Sequence, residues 1–174
     1  IVGMFSGILP YKGTFEPGTK INDFLKEIIS SQKQDYRHQN FSIGDLSRNL
    51  KINFSEGYLY DVVVNYEPLD FELNFGEEIK ATILRLANEG ERNPLQLCWR
   101  DYGNEQPLQL HIHYRNDYFN RQEIELIGSR VVFIIQQFID NPDQNIGSID
   151  ILPKEEYGLL INFNNTVVAY PKQQ

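Results

Sequence analysis

The residues of this chain that could perform chemistry are three histidines, one cysteine and scattered aspartates. His111 and His113 alternate along a predicted strand, so both could face one metal ion, with Cys98 on a neighbouring strand as a further ligand. Two polar residues on the wet face of a half-buried strand explain the same spacing more simply. We favour that interpretation and predict no metal site.

Other nucleophiles, acid–base pairs and phosphate-binding loops do not emerge from the spacing. His38 has no serine, cysteine or carboxylate near it in a nucleophile motif. Single aspartates are typical of solvated strand ends, and three are of this kind: Asp61, Asp70 and Asp101. The glycines near the start of the chain precede neither Lys-Ser/Thr nor Rossmann spacing. Residue types and spacing alone therefore indicate no more than a globular α+β lobe.

Composition and charge exclude several classes of protein. With 174 residues, 41% hydrophobic and 23% charged, the chain has the make-up of one globular domain or one lobe. A formal net charge of −8 without a basic cluster argues against nucleic-acid and anionic-membrane partners. A single cysteine fits a reducing compartment, and no apolar run approaches the roughly 18 residues of a membrane span. We therefore predict a cytoplasmic protein and, because Ile1 opens an apolar segment, a piece of a longer polypeptide.

Helical periodicity appears twice in the first third of the chain. A first helix is predicted from about residue 21 to about residue 36, with Thr19 as its N-cap. A short second helix should follow Ser42, since Asp45 at its third position completes an approximate capping box.

The clearest helix lies in the last third of the chain. Its residues form a continuous apolar stripe: Ile124, Ile127, Val131, Ile134, Ile135 and Phe138. Asn120 or Asp117 should open this helix, and Pro142 follows its predicted end.

Between these helices the pattern changes to that of β-structure. Residues 58–66 contain three consecutive valines and predict a strand buried on both faces. Alternation predicts further strands at 71–75, 95–99 and 108–114. Residues 80–87 fit a strand or a short helix, with the strand favoured, and residues 1–10 predict a buried strand followed by a turn. The order of elements predicts an α+β fold, with a mostly antiparallel sheet packed by helices.

Six segments match, in order, the motifs of one known family. Residues 1–10 resemble Val-Gly-x-Phe-Val-Asn-Thr-Leu-Pro, 36–46 resemble His-Gln-x-x-Pro-Phe-x-x-Leu, and 59–66 resemble Leu-Phe-x-Val-x-Phe-Asn. Residues 114–119 are similar to Tyr-Asn-x-Asp-Leu-Phe, 141–152 resemble the family's ending, and 161–171 resemble a Trp-Asn-x-Thr…Tyr-Pro linker. Together they resemble the C-terminal half of a condensation domain from a nonribosomal peptide synthetase.

This resemblance implies a fold and a set of partners. The fold is the C-terminal lobe of a chloramphenicol-acetyltransferase-like domain, which forms one wall of a tunnel against an N-terminal lobe. Donor and acceptor carrier domains would insert phosphopantetheine arms from opposite sides, and the acceptor amine would attack the donor thioester to form an amide. Residues 1–152 would be the lobe, with no cofactor of its own, and 153–174 the linker towards an adenylation domain.

The resemblance also implies which residues line the tunnel. They are Phe5, Ser6, Gly7, Ile8 and Asn65. The family's His-His-x-x-x-Asp-Gly motif belongs to the N-terminal lobe and does not occur in this chain, so no catalytic residue is implied here and the isolated chain should be inactive. Ser6-Gly7-Ile8 replaces the usual Val-Asn-Thr, and an asparagine there could hydrogen-bond the intermediate or the pantetheine. An unusual donor such as a fatty acyl starter, relaxed activity and neutral variation all fit this change.

Two other functions remain open from the sequence. One is a relative of the same fold, an epimerisation or cyclisation domain or another carrier-dependent acyltransferase. The other is a non-catalytic lobe that only docks carrier domains. The adenylation-type linker argues against epimerisation, since epimerisation domains usually end a module.

Overall fold

The computed structural model describes residues 7–52, 59–69, 90–103 and 106–166. Its regular elements in chain order are α1 (Ile21–Tyr36), α2 (Ile43–Asn49), β1 (Val62–Pro68), β2 (Leu95–Asp101), β3 (Gln109–Tyr114), α3 (Arg121–Asp140), a 3-10 turn (Ile146–Ser148) and α4 (Lys154–Asn164). This combination of helices and strands confirms the predicted α+β class. The predicted strands at 71–75 and 80–87 lie outside the described residues, as do residues 1–6 of the strand predicted at 1–10.

Contacts along the chain divide it into two compact units. The sheet unit falls within Ile1–Lys12 and Gln34–Gly128, and the helical unit falls within Gly13–Lys33 and Ser129–Gln174. Leu95, Cys98 and Ile124 are buried in the sheet unit, and Ile21 is buried in the helical unit.

The three described strands form a mixed sheet in the order β1-β2-β3. β1 pairs with β2 in parallel, and β2 pairs with β3 in antiparallel. The predicted antiparallel arrangement therefore holds for β2 and β3 but not for β1. A parallel pair needs a crossover connection, which sequence alternation alone does not reveal.

The two faces of this sheet differ in chemistry. Paired residues share a face, so the register gives a polar face with these members: Val63, Asn65, Glu67, Gln96, Cys98, Arg100, Gln109, His111 and His113. The opposite face is apolar and includes Leu97 and Ile112. Gly128 of α3 packs against that apolar face so closely that an added Cβ would lie 3.1 Å from Ile112 Cδ1.

β1 is not buried on both faces, so that prediction was wrong. Val62, Val64 and Tyr66 are 49%, 66% and 57% exposed, while the residues between them are half-buried. β1 is one edge of the described sheet, and its run of valines reflects the β-preference of branched side chains rather than burial on both sides.

The first helix has the predicted bounds but not the predicted cap. α1 begins at Ile21, and the Lys20 carbonyl accepts the amides of Asp23 and Phe24, so Lys20 rather than Thr19 is its N-cap. The Thr19 carbonyl instead accepts the Ile146 amide. This pairing of the segment before α1 with the segment around the 3-10 turn determines where the helix starts.

The other two predicted helix starts are confirmed. The Ser42 hydroxyl accepts the Asp45 amide at 3.1 Å at the start of α2. At the start of α3 the Asn120 side chain accepts the Glu123 amide at 3.0 Å, and the Glu123 carboxylate accepts the Asn120 amide at 2.8 Å. This reciprocal capping box selects Asn120, and Asp117 pairs with Arg115 instead.

The described part of the predicted N-terminal strand is not a strand. Residues 7–10 have no regular secondary structure, and Ile8 is 48% exposed. No described strand pairs with this segment, so its apolar composition has no sheet in which to be buried.

Candidate functional site

On the polar face of the sheet, the Glu67 carboxylate accepts hydrogen bonds from two neighbouring side chains. Asn65 Nδ2 donates to Glu67 Oε1 at 2.9 Å, and Arg100 Nε donates to Glu67 Oε2 at 3.0 Å. Arg100 is buried and Asn65 is half-buried. We call Asn65, Glu67 and Arg100 the polar triad.

Strand register explains why these residues meet. Asn65 and Glu67 lie two residues apart on β1 and so share a face. The parallel pairing sets Glu67 opposite Arg100 and Asn65 opposite Cys98. The next strand places His111 opposite Cys98 and Gln109 opposite Arg100.

The ion pair keeps Glu67 charged. Burial raises the pKa of the Glu67 carboxyl, but hydrogen bonds from Arg100 and Cys98 and the Arg100 charge outweigh it, so the pKa lies below its usual value. A buried arginine with an ionised partner avoids the free-energy cost of an isolated buried charge. Near neutral pH the Glu67 carboxylate therefore stays ionised and accepts the hydrogen bonds of Arg100 and Asn65.

Cys98 lies beside the triad but is a poor nucleophile. Burial, followed by its hydrogen bond to Glu67, raises the pKa of the Cys98 thiol to about 11. A thiol of this kind stays protonated near neutral pH, and thiolate is the reactive form. The arrangement thus gives Cys98 a structural place in the sheet.

The two histidines of β3 are engaged by different partners. His111 Nε2 lies 3.1 Å from Gln109 Oε1, and His113 Nδ1 lies 3.1 Å from Glu91 Oε1. Burial, followed by the charge of Arg100, lowers the pKa of His111, so its neutral form is favoured. Among the residues that the structure describes, no three His, Cys, Asp or Glu side chains are grouped to hold a metal ion.

The residues predicted to line a tunnel fall in two segments of the chain. Asn65 belongs to the polar triad. Gly7 and Ile8 lie in the irregular segment, where an added Cβ at Gly7 would meet nothing within 4 Å apart from its chain neighbours. Phe5 and Ser6 lie outside the described residues. The structure places Asn65 in the polar triad, and all five positions stay predictions as tunnel residues.

Sequence reasoning missed Glu67 and Arg100. A signal was present, since each continues the polar alternation of its strand, Glu67 after Asn65 and Arg100 after Cys98. Their opposite charges become meaningful only when the strands are known to pair in parallel with this register. None of the described helices is long and apolar enough to cross a membrane.

Comparison with known proteins assigns the family. The family model for the condensation domain matches residues 1–161. Similar curated proteins include bacitracin synthase 1 of Bacillus licheniformis, 23% identical over 99% of this chain and 3% of that protein. Tyrocidine synthase 3 of Brevibacillus parabrevis is 24% identical over 98% of this chain and 3% of that protein.

A solved structure shows the same fold. The crystal structure of the starter condensation domain of rhizomide synthetase RzmA matches with a TM-score of 0.64 and 24% identity, over 80% of this chain and 34% of that one. The chain spans only a small fraction of the length of its curated relatives. A family model that covers nearly the whole chain, together with this fold, places the protein in the condensation domain family of nonribosomal peptide synthetases.

Proposed function

We propose that this chain is the C-terminal lobe of an amide-forming condensation domain whose polar sheet face lies towards the carrier-bound substrates. The observation that carries the proposal is the match of the condensation family model to residues 1–161. The two faces of the sheet support the orientation. Gly128 of α3 lies against Ile112 on the apolar face, and the opposite face carries the side chains that could hydrogen-bond a carrier-bound substrate.

The proposed reaction joins two carrier-bound groups. The acceptor amine attacks the donor thioester carbon, a carbon–nitrogen bond forms, the carbon–sulfur bond breaks, and the amine proton is lost as the donor carrier's thiol is released. The lobe would contribute binding and orientation, while the catalytic histidine motif of the family belongs to the N-terminal lobe. Holding two reactants in place is a large part of the rate gain in such a transfer.

Residues of this lobe fit a phosphopantetheine arm, which carries amide groups along its length. Asn65 has an amide side chain that can donate and accept hydrogen bonds, and it is half-buried in the polar triad. Phe5, Ser6, Gly7 and Ile8 are proposed to continue the tunnel wall. The missing side chain at Gly7 would leave room for an unusual donor such as a fatty acyl starter. The solved relative is itself a starter condensation domain.

The proposed layout continues beyond the lobe. Residues 153–174 would lead from the lobe to an adenylation domain, and the first part of this segment forms α4. Its Glu156 is bound to Arg130 of α3 in the helical unit. Proposed partners are the N-terminal lobe and the donor and acceptor carrier domains, in the cytoplasm.

The test is an assay of the complete condensation domain with both loaded carrier domains. Mass spectrometry of the acceptor carrier should show an amide-linked product, and the isolated chain should yield none. Inversion of the donor stereocentre without amide formation would support the epimerisation alternative. Binding of carriers without any product would support the docking-lobe alternative. Either of these two results would contradict the proposal.

A further inference from the structure

We infer that Glu67, anchored by Arg100, is a positioning residue that orients the Asn65 amide towards a substrate N–H group. This inference rests on the proposed function and identifies a residue that neither the resemblance nor the family match assigns. Its basis is the geometry of the polar triad.

The first step is the anchor. Arg100 lies on the central strand β2, is buried, and donates to Glu67 Oε2 at 3.0 Å. A buried guanidinium with a fixed partner has little freedom to move, because any other position would leave its charge unpaired. The Glu67 carboxylate is therefore held at a defined place on the polar face.

The second step is the direction of the Asn65 amide. An ionised carboxylate can only accept hydrogen bonds, so Glu67 Oε1 must receive the NH2 group of Asn65 rather than face its oxygen. The two ends of an amide point in different directions, so the Asn65 oxygen is directed away from Glu67. The buried Arg100 thus fixes the Glu67 carboxylate, and Glu67 in turn fixes the Asn65 amide, whose oxygen is left to accept a hydrogen bond.

The third step is the ligand chemistry. An amide oxygen held in one orientation accepts an N–H donor. Both carrier-bound substrates supply such donors, in the amide groups of their pantetheine arms and in the acceptor amine. An oriented acceptor binds such a group without first losing rotamer freedom, which favours substrate binding.

Glu67→Gln tests this chain of contacts with almost no change in shape. The glutamine amide has one oxygen and one NH2 group, so either Arg100 or Asn65 would face a donor instead of an acceptor. The Asn65 side chain would then lose its fixed orientation. A matched control is Asp23→Asn, which alters a carboxylate in the exposed ion pair with Lys26 of the helical unit.

The experiment measures amide formation by the complete condensation domain with loaded carriers, for wild type, Glu67→Gln, Asn65→Ala, the double variant and the Asp23→Asn control. Glu67→Gln and Asn65→Ala should each lower kcat/KM about tenfold, mainly through a higher KM, as expected for one oriented hydrogen bond. The double variant should be no worse than Asn65→Ala, and the control should match wild type. Melting temperatures measured on every variant keep loss of folding apart from loss of positioning.

Three results would overturn the inference. A double variant whose losses multiply would show that Glu67 acts independently of Asn65. If both the wild type and the Asn65→Ala variant are fully active, Asn65 is not an acceptor that the reaction needs. The proposed amide-forming function would still stand in that case. A wild-type domain that forms no amide would contradict the proposed function, and this inference with it.

Discussion

Two arginine–glutamate pairs, one in each unit, have opposite patterns of burial. In the sheet unit the Arg100 side chain is 5% exposed and its partner Glu67 is 34% exposed. In the helical unit the Glu156 side chain is 9% exposed and its partner Arg130 is 37% exposed. The buried member is the cation in one pair and the anion in the other.

We expect this difference to distinguish a substrate-binding site in the sheet unit from a structural ion pair in the helical unit. Arg130 contacts both oxygens of Glu156, with Nε at 3.1 Å and 3.0 Å, so one cation satisfies the buried carboxylate. Glu67 is shared between Arg100 and Asn65, and the outer end of that arrangement is a polar amide. We therefore expect the helical pair to act on stability alone, and the sheet pair to act on substrate binding as well as on stability.

The largest expected effect on stability is at the helical pair. Arg130→Met would leave the buried Glu156 carboxylate without its cation and should lower the free energy of unfolding by about 3 kcal/mol. Arg121→Met on the same helix is the matched control, because its pair with Glu125 is exposed and its loss should leave the free energy of unfolding nearly unchanged. Denaturant unfolding of the complete domain measures both. Equal losses of unfolding free energy in the two variants would contradict the distinction between the buried ion pair and the exposed one.

A second stability test concerns close packing in the helical unit. A Cβ at Gly147 would lie 2.8 Å from Pro17 Cβ and 2.9 Å from the Pro17 carbonyl oxygen, so Gly147→Ala should lower the free energy of unfolding by about 2 kcal/mol. A Cβ at Gly158 in α4 would meet nothing within 4 Å, so Gly158→Ala should raise the free energy of unfolding by about 0.5 to 1 kcal/mol. Unfolding midpoints that shift the same way in both variants would show that this approach does not limit packing.

A smaller effect is expected at the start of α3. Asn120→Ala removes the side-chain acceptor of the capping box and should lower the free energy of unfolding by about 1 kcal/mol. Gln122→Ala, an exposed change in the same turn, should stay within about 0.5 kcal/mol of wild type. An Asn120→Ala variant as stable as wild type would mean that the capping box contributes nothing measurable.

The last prediction concerns chemical labelling of Cys98 on the polar face. Cys98 is buried, and its pKa is raised to about 11, so iodoacetamide at pH 8 should label it far more slowly than in the unfolded protein. The raised pKa also means that its contribution to stability is complete below pH 9 and is lost as the pH rises towards 11. Mass spectrometry of the labelled peptide over time checks the first statement. Rapid labelling in the native state would show that the polar face opens readily.

Local signals predicted most of the helical framework. The bounds of α1 and the capping residues Ser42 and Asn120 follow from periodicity and from cap chemistry within four residues. Thr19 failed as a cap because the segment before α1 pairs with residues more than a hundred positions away. The polar triad could not be predicted for a similar reason, since it requires the parallel register of β1 and β2. Asn65 was predicted only through the resemblance to a family.

The most direct test of the account asks which face of β1 meets the substrate arm. In the complete domain, Asn65→Cys and Val64→Cys place a thiol on the polar and the apolar face of the same strand. A donor carrier whose pantetheine arm ends in a chloroacetyl group would form a thioether as the thiolate displaces chloride, and mass spectrometry counts the adduct against wild type. Labelling of separate samples with iodoacetamide confirms that both introduced thiols react. The account predicts that Asn65→Cys traps the carrier and Val64→Cys does not, whereas trapping at Val64→Cys alone, or at neither position, would contradict it.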